Sequence, residues 1–215
     1  AGLAGTIGIA AFYRGLAVGT MSIVAPIAST GAALPVVAGL IDGERPSALQ
    51  AAGIAVAIAG VMLAGREPAE PGAPRPEASR AALVLALLAA VGIGMTFVAL
   101  DRATASAGVA WTLLVQRAVE CGLLVAAALI TRPPRPSGRV AWVAIAGLGL
   151  LDVTAQALFA VATTQGLLSI VSVLSSLYPA ATVLLARTLL HERVSRLQEA
   201  GVVAILAGVV AISAG

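Results

Sequence analysis

Four charged residues of this sequence lie inside long apolar stretches, apart from all the others. They are Arg14, Arg117, Glu120 and Asp152. A charge in an apolar environment is costly unless it is paired or lines a polar pathway, so such residues commonly mark functional sites. These four residues are therefore the first candidates for chemistry, as ion pairs or as contacts to a polar solute.

Two pairs of polar residues have the spacing of neighbours on one helical face. Arg117 and Glu120 are three residues apart, and Asp152 and Gln156 are four apart. Arg117 and Glu120 either neutralise each other or contact a substrate, and the sequence leaves both interpretations open. The carboxylate of Asp152 has the chemistry to accept a proton or to bind a cationic group of a solute. We predict that all four contact the substrate.

Three other residues complete the predicted substrate-binding set. Tyr13 and Arg14 lie late in the first apolar stretch, where they contribute to specificity unless Arg14 extends to the lipid headgroups instead. Tyr178 precedes Pro179, whose missing N–H leaves a carbonyl without its donor and kinks a helix. Tyr178 is predicted to lie at this kink and to face the substrate.

The composition shows what kind of structure must position these residues. Of the 215 residues 60% are hydrophobic and only 11% are charged, and the mean hydropathy is +1.02. Soluble domains have about 25% charged residues. A soluble enzyme, a coiled coil and a disordered chain are therefore disfavoured. The 13 basic and 10 acidic residues form no basic stripe, so nucleic-acid binding is not supported.

The motifs of common enzyme classes are missing from the sequence. His191-Glu192-Arg193 lacks the second histidine of a metalloprotease helix, and there is no phosphate-binding loop for ATP. With one cysteine, Cys121, and one histidine, the chain offers no zinc cluster. We predict that the protein is not an enzyme and needs neither a metal nor another cofactor.

The remaining charges lie in short clusters that separate apolar runs of membrane-spanning length. A spanning helix needs about 20 apolar residues, and in lipid its backbone groups must bond within the segment. We predict an all-α, polytopic transmembrane helix bundle, with kinks at Pro26 and Pro35 as well as at Pro179. The predicted spans are about 1–19, 22–41, 47–65, 81–100, 107–131, 140–162, 168–190 and 197–214.

Part of the sequence is repeated. ERPSALQAAG at 44–53 matches ERVSRLQEAG at 192–201, and Ser22-Ile23-Val24 matches Ser169-Ile170-Val171. The first three spans therefore correspond to the last three. We predict the end of a first repeat at 1–65, a linker at 66–80 and a second repeat at 81–215. Each complete repeat has five helices, so about eight of ten are present and the first two are expected before residue 1.

An odd number of helices in each repeat places the matching loops on opposite faces of the membrane. This is the inverted-topology arrangement of many secondary transporters, whose sites lie near the middle of the bilayer between the repeats. We expect spans one, two, five, six and seven to line such a site. The loops that begin with Glu44 and Glu192 are interpreted as structural, with Ser47 and Ser195 as helix caps.

Residues 150–210 and 12–63 resemble the C-terminal parts of two EamA domains of the drug/metabolite transporter superfamily. The resemblance rests on the Ser-Ile-Val start, the Tyr-Pro step, the Glu-Arg loop and the Gln-x-x-Gly that opens the last helix. It implies a ten-helix carrier that exports metabolites, amino acids or drugs. Gly31, where the second half has Pro179, and His191, where the family has glycine, depart from the pattern.

The prediction is thus an exporter of a small metabolite or amino-acid-like solute that works by alternating access. Its expected surroundings are membrane lipid and a multi-pass position in the cell (inner) membrane. Proton coupling and a homodimer stay open. The alternative is a truncated membrane protein that does not transport, or an assembly partner.

Overall fold

The computed structural model describes residues 1–19, 21–64, 79–132, 138–177, 180 and 195–214. In these residues the regular structure is entirely helical, and a 3₁₀ turn at Thr30–Ala32 joins the second and third α-helices. The α-helices are α1 Gly2–Val18, α2 Met21–Ser29, α3 Ala33–Ile41, α4 Ala48–Ala64, α5 Arg80–Ala107, α6 Val109–Thr131, α7 Arg139–Thr163, α8 Leu168–Ser175 and α9 Arg196–Ala214.

Four of these helices, α5, α6, α7 and α9, are long and apolar enough to cross a membrane, and α1, α4 and Ile27–Ile41 are shorter apolar helices. Large apolar side chains such as Ile130, Val140 and Val210 are exposed on the outside of the bundle. Such an exterior suits lipid rather than water, because the bilayer core is as apolar as these side chains. The predicted transmembrane helix bundle is confirmed.

The fourth span is longer than predicted. Helix α5 continues beyond Leu100 to Ala107 and so includes the charged residues Asp101 and Arg102. Arg102 Nη2 donates a hydrogen bond of 3.1 Å to the carboxylate of Asp42. A helix that exceeds the thickness of the apolar layer can place its charged end beyond that layer, where an ion pair between exposed side chains costs little.

The second span changes its helical form at Thr30–Ala32, between the two prolines that were predicted to kink it. Pro35 stands in the first turn of α3, where a missing N–H does no harm. The close approach of α5 accounts for the glycine here: a Cβ atom on Gly31 would lie 2.5 Å from the carbonyl oxygen of Ala90. The prediction of a kink at Pro179 lies outside the described residues.

The repeated serine and glutamine form the same cap at the start of α4 and of α9. The backbone N–H of Ser47 donates to Gln50 Oε1 (2.9 Å), and that of Gln50 donates to Ser47 Oγ (3.1 Å). The corresponding distances for Ser195 and Gln198 are 3.0 and 3.2 Å. This reciprocal capping box satisfies two backbone donors that a helix start leaves free. The predicted caps are confirmed.

The repeated glycines bring α4 and α9 into backbone contact. A Cβ atom on Gly60 would lie 2.7 Å from the carbonyl oxygen of Gly201, and one on Gly208 would lie 2.7 Å from that of Gly53. Contact therefore runs from the start of each helix to the end of the other, so the two helices are antiparallel. Because Gly53 corresponds to Gly201 and Gly60 to Gly208, equivalent helices meet about a two-fold axis perpendicular to their length. Such an axis relates inverted repeats.

Candidate functional site

A cavity of about 510 Å³ lies between helices of both repeats. Its volume is within the range of about 300–1,000 Å³ that is usual for small-molecule sites. Helices α1, α2, α6, α7 and α8 line it, as spans one, two, five, six and seven were expected to do. Helix α5, the fourth span, also lines it, which was not expected. The α5 residues at the wall are Ile93, Thr96, Phe97 and Leu100.

Equivalent positions of the two repeats meet at this cavity. Ser29 and Ser176 both line it, and each lies seven residues after the first serine of its Ser-Ile-Val sequence. The same register extends to α1 and α7. It pairs Gly5 with Asp152, Ile9 with Gln156 and Phe12 with Phe159, and all six of these residues line the cavity. Residues at equivalent positions of the two repeated segments therefore line one and the same cavity.

The chemical groups at these equivalent positions differ. Asp152 and Gln156 of α7 have a carboxylate and an amide, whereas Gly5 and Ile9 of α1 have no polar side-chain group. The two aromatic positions are alike. The polar chemistry of the cavity is thus concentrated on the side formed by the second repeat.

One guanidinium group joins the two carboxylates across α6 and α7. Arg117 Nη1 donates to Glu120 Oε2 at 2.7 Å, and Arg117 Nη2 lies 2.7 Å from Asp152 Oδ2. The first contact has hydrogen-bond geometry, whereas the second is an ion pair whose angles do not make a hydrogen bond. Arg117 therefore pairs with a carboxylate of a second helix in addition to Glu120, three residues along its own helix.

Two amides close this set of contacts into a ring. Gln116 Nε2 donates to Glu120 Oε1 at 2.9 Å and to Gln156 Oε1 at 2.5 Å. Gln156 Nε2 lies 3.4 Å from both carboxylate oxygens of Asp152, a weak contact at that length. We call these five residues, Gln116, Arg117, Glu120, Asp152 and Gln156, the polar ring. It connects α6 to α7 through charged and amide side chains.

The polar ring presents its acidic members to the cavity. Glu120, Asp152 and Gln156 line the cavity, whereas Arg117 and Gln116 are not among its lining residues. The Glu120 side chain is 14% exposed and that of Asp152 is 53% exposed, so Asp152 is the more accessible carboxylate. With both carboxylates ionised, one arginine leaves the ring with a net charge of −1. Among the described residues no group of three or more His, Cys, Asp and Glu side chains is arranged to hold a metal ion.

Aromatic and aliphatic side chains form the rest of the wall. The rings of Phe97 and Phe159 contact each other in a tilted arrangement, with their centroids 4.6 Å apart at an interplanar angle of 46°. Phe12, Ile9 and Ile93 add to this apolar surface. Thr96 also lines the cavity, but its hydroxyl donates to the carbonyl of Gly92 within its own helix (2.8 Å).

The other predicted residues lie elsewhere. Tyr13, a residue that is 66% exposed, packs its ring edge-on against Phe12, and neither Tyr13 nor Arg14 lines the cavity. Neighbouring residues of a helix point in different directions, so a cavity-facing Phe12 turns the next two residues away. We therefore leave Tyr13 and Arg14 out of the candidate site. Tyr178 lies outside the described residues.

Sequence reasoning missed Gln116 and Ser29. Gln116 is an amide in an apolar span, four residues before Glu120, so the helical spacing that singled out Arg117 would also have found it. Ser29 could have been found by extending the Ser-Ile-Val register to Ser176.

A second polar contact joins the repeats away from the ring. The Glu44 carboxylate accepts hydrogen bonds from the backbone N–H groups of Leu168 (2.5 Å) and Ser169 (3.0 Å), at the start of α8. A carboxylate at a helix N-terminus is favoured by the free donors and by the helix dipole. Gly39 lies directly against this carboxylate, so a side chain at this position would displace the carboxylate from where it lies. The loop is structural, as interpreted, but its glutamate serves a helix of the other repeat.

Comparisons with known proteins agree with this geometry. The sequence model of the EamA-like transporter family matches residues 80–214. A search of curated proteins finds no match. A crystal structure, described only as that of a protein, superposes with a TM-score of 0.76 at 19% sequence identity, and the match covers 99% of this chain and 73% of that chain. At this identity the structural likeness shows a shared fold.

Proposed function

The chain belongs to the EamA-like transporter family, and from this premise we propose that it is a secondary transporter that exports a small solute across the cell (inner) membrane by alternating access. The family is one of transporters rather than enzymes. The chain is a multi-pass membrane protein, so lipid surrounds its apolar exterior and the solute enters from water. Export follows the family resemblance.

The observation that supports this proposal most strongly is that equivalent positions of the two repeats line the same cavity. Equivalent residues of α1 and α7, and of α2 and α8, line the same space. In a pair of inverted repeats, exchange of their two conformations would open such a space first to one face and then to the other. The five-residue polar ring, with carboxylates at the wall, gives this space the groups to bind a polar solute.

The experiment is solute counterflow into liposomes that contain the purified protein. A panel of amines, amino acids, organic anions and neutral sugars covers the main charge classes. We expect uptake of at least one class above that of empty liposomes. A correctly reconstituted protein that moves none of them would contradict the proposal.

A matched pair of variants tests whether the cavity is the pathway. Ala155→Trp introduces a large side chain at the cavity wall, whereas Leu158→Trp places the same group at an exposed position three residues along α7. We expect the first variant to lose most counterflow and the second to retain it. Equal activity in both would place the pathway elsewhere.

Proton coupling through Asp152 is the finer part of the proposal. Asp152 is the more exposed of the two wall carboxylates, and the charged groups around it in the described residues are Arg117 and, beyond it, Glu120. If Asp152 exchanges a proton for the solute, Asp152→Asn removes the response of transport to an imposed pH gradient. An unchanged response would exclude Asp152 from the coupling step.

A further inference from the structure

The charge of the cavity wall depends on which residues of the polar ring face the cavity. Glu120 and Asp152 line the wall, and the guanidinium of Arg117, their shared counter-ion, does not. No arginine and no histidine of the described residues is among the lining residues. A solute in this space therefore meets two carboxylates, and the ring behind them has one positive charge too few to balance both.

The shape of the wall limits the rest of the solute. The rings of Phe97 and Phe159, 4.6 Å apart, line the same cavity as the carboxylates, with Phe12 of α1. A largely apolar pocket with a few placed polar groups binds apolar ligands and orients them through those groups. Aromatic faces are also attracted to cations within about 6 Å. The wall thus suits a solute with an apolar body and one charged end.

A zwitterion fits this wall less well than a cation. The carboxylate of an amino acid would need a cationic partner, but Arg117, the arginine that the described residues place beside the site, already pairs with Glu120 and Asp152. Placing a third carboxylate beside these two would add like-charge repulsion, which disfavours binding at close range. An organic acid would meet the same repulsion without the gain from an ammonium group.

From these observations we infer that the solute is a monocationic amine with a compact apolar body, rather than an amino acid or an organic anion. The inference rests on the proposed transport function and assigns the substrate class of the same site. Glu120 and Asp152 would bind the ammonium group, and the phenylalanine cluster would hold the apolar body.

Three solutes that share a phenyl ring test this directly: phenethylamine, phenylalanine and phenylpropionate. Each is measured for equilibrium binding to the purified protein in detergent and for counterflow in liposomes. We expect phenethylamine to bind and move at least about tenfold better than the other two, because only it lacks a carboxylate. A preference for phenylalanine or phenylpropionate would overturn the inference and leave the transport proposal standing.

Two variants and a control locate the effect at the wall. Glu120→Gln removes one carboxylate and is expected to weaken phenethylamine binding at least about tenfold. Ala155→Lys adds a cation at the wall without removing any ring contact, so selectivity should shift towards phenylpropionate even if Glu120→Gln fails to fold. Asp42→Asn, in the exposed pair with Arg102, should change neither. Unaltered selectivity in Ala155→Lys would contradict the inference.

Binding and transport fail in distinguishable ways. Selective binding of phenethylamine by a protein that moves neither phenethylamine nor any solute of the panel would support the assigned class and overturn transport. If phenethylamine neither binds nor moves, the assigned class is wrong whatever else the liposomes take up.

Discussion

Helices α4 and α9 meet through glycines, whereas α6 and α7 are connected through charged and amide side chains. In the first pair, the backbone contact of Gly60 with Gly201 is equivalent by symmetry to the contact of Gly208 with Gly53. In the second pair, Arg117 and Gln116 of α6 bind Asp152 and Gln156 of α7. The two regions differ in symmetry as well as in chemistry.

The difference shows that the two repeats contribute alike to packing and differently to the cavity. Where the repeats agree in sequence, they supply caps and close packing, which both halves need alike. Where they differ, as at Gly5 and Asp152 or at Ile9 and Gln156, one half supplies polar groups to the cavity and the other supplies space. A pathway that opens to both faces can thus retain one asymmetric binding site.

The largest effect is expected at the symmetric pair. Gly60→Leu and its equivalent Gly208→Leu force a side chain into backbone atoms of the facing helix, with a Cβ only 2.7 Å from a carbonyl oxygen in each case. Each should lower the free energy of unfolding in detergent by about 3 kcal/mol, the upper part of the range for overpacking. Because the two contacts are equivalent, the two losses should be similar, as measured by denaturant unfolding.

The matched control is Gly147→Leu in α7, where an added Cβ meets no atom within 4 Å. The same substitution there should leave stability nearly unchanged. If Gly60→Leu were as stable as this control, the contact between the repeats would not depend on glycine.

The second-largest effect is expected at the polar ring, where variants can distinguish a contribution to stability from a contribution to transport. Arg117→Met leaves Glu120 and Asp152 without their cation, and an unpaired buried charge is strongly destabilising. Because Asp152 is 53% exposed, we expect a loss of about 2 kcal/mol rather than the larger values for fully buried pairs. Thermal unfolding of the purified protein in detergent measures it.

Replacing all three charged residues of the polar ring tests whether the expected loss of stability comes from unpaired charge. A variant with Arg117→Met, Glu120→Gln and Asp152→Asn has no charge left to compensate, and buried ion networks are commonly replaced by neutral side chains at little cost. It should recover most of the lost stability but transport no amine. Full transport activity in this variant would show that the ring serves structure only.

Much of the fold could be predicted from the sequence because the lipid phase imposes simple rules. The length of the apolar runs gave the spans, and the repeated Ser47 and Gln50, with Ser195 and Gln198, marked the helix starts. The form of the second span was not predictable from proline alone, since it changes at Thr30–Ala32, where Gly31 lies against the backbone of α5. That contact depends on tertiary packing.

The candidate site was predictable where helical spacing applies and not where helices must meet. Spacing placed Arg117 beside Glu120, and Asp152 beside Gln156, but could not show that one guanidinium serves both carboxylates. It also could not show the direction in which α1 turns, so Tyr13 and Arg14 were chosen although Phe12 faces the cavity. Rotation of a helix about its axis is set by its neighbours, which no single span reveals.

The smallest effect concerns the polar contact that the repeats make outside the ring. Glu44→Gln retains an acceptor for one backbone N–H of Leu168 or Ser169 but removes the charge at the start of α8. We expect a loss of about 1 kcal/mol, typical of a helix cap. Asp42→Asn, two residues away, breaks only the exposed pair with Arg102, whose side chains are 46% and 58% exposed, and should cost less than about 0.5 kcal/mol. Equal losses in denaturant unfolding would mean that Glu44 contributes only as a surface charge and that the cap on α8 does not stabilise the contact between the two halves.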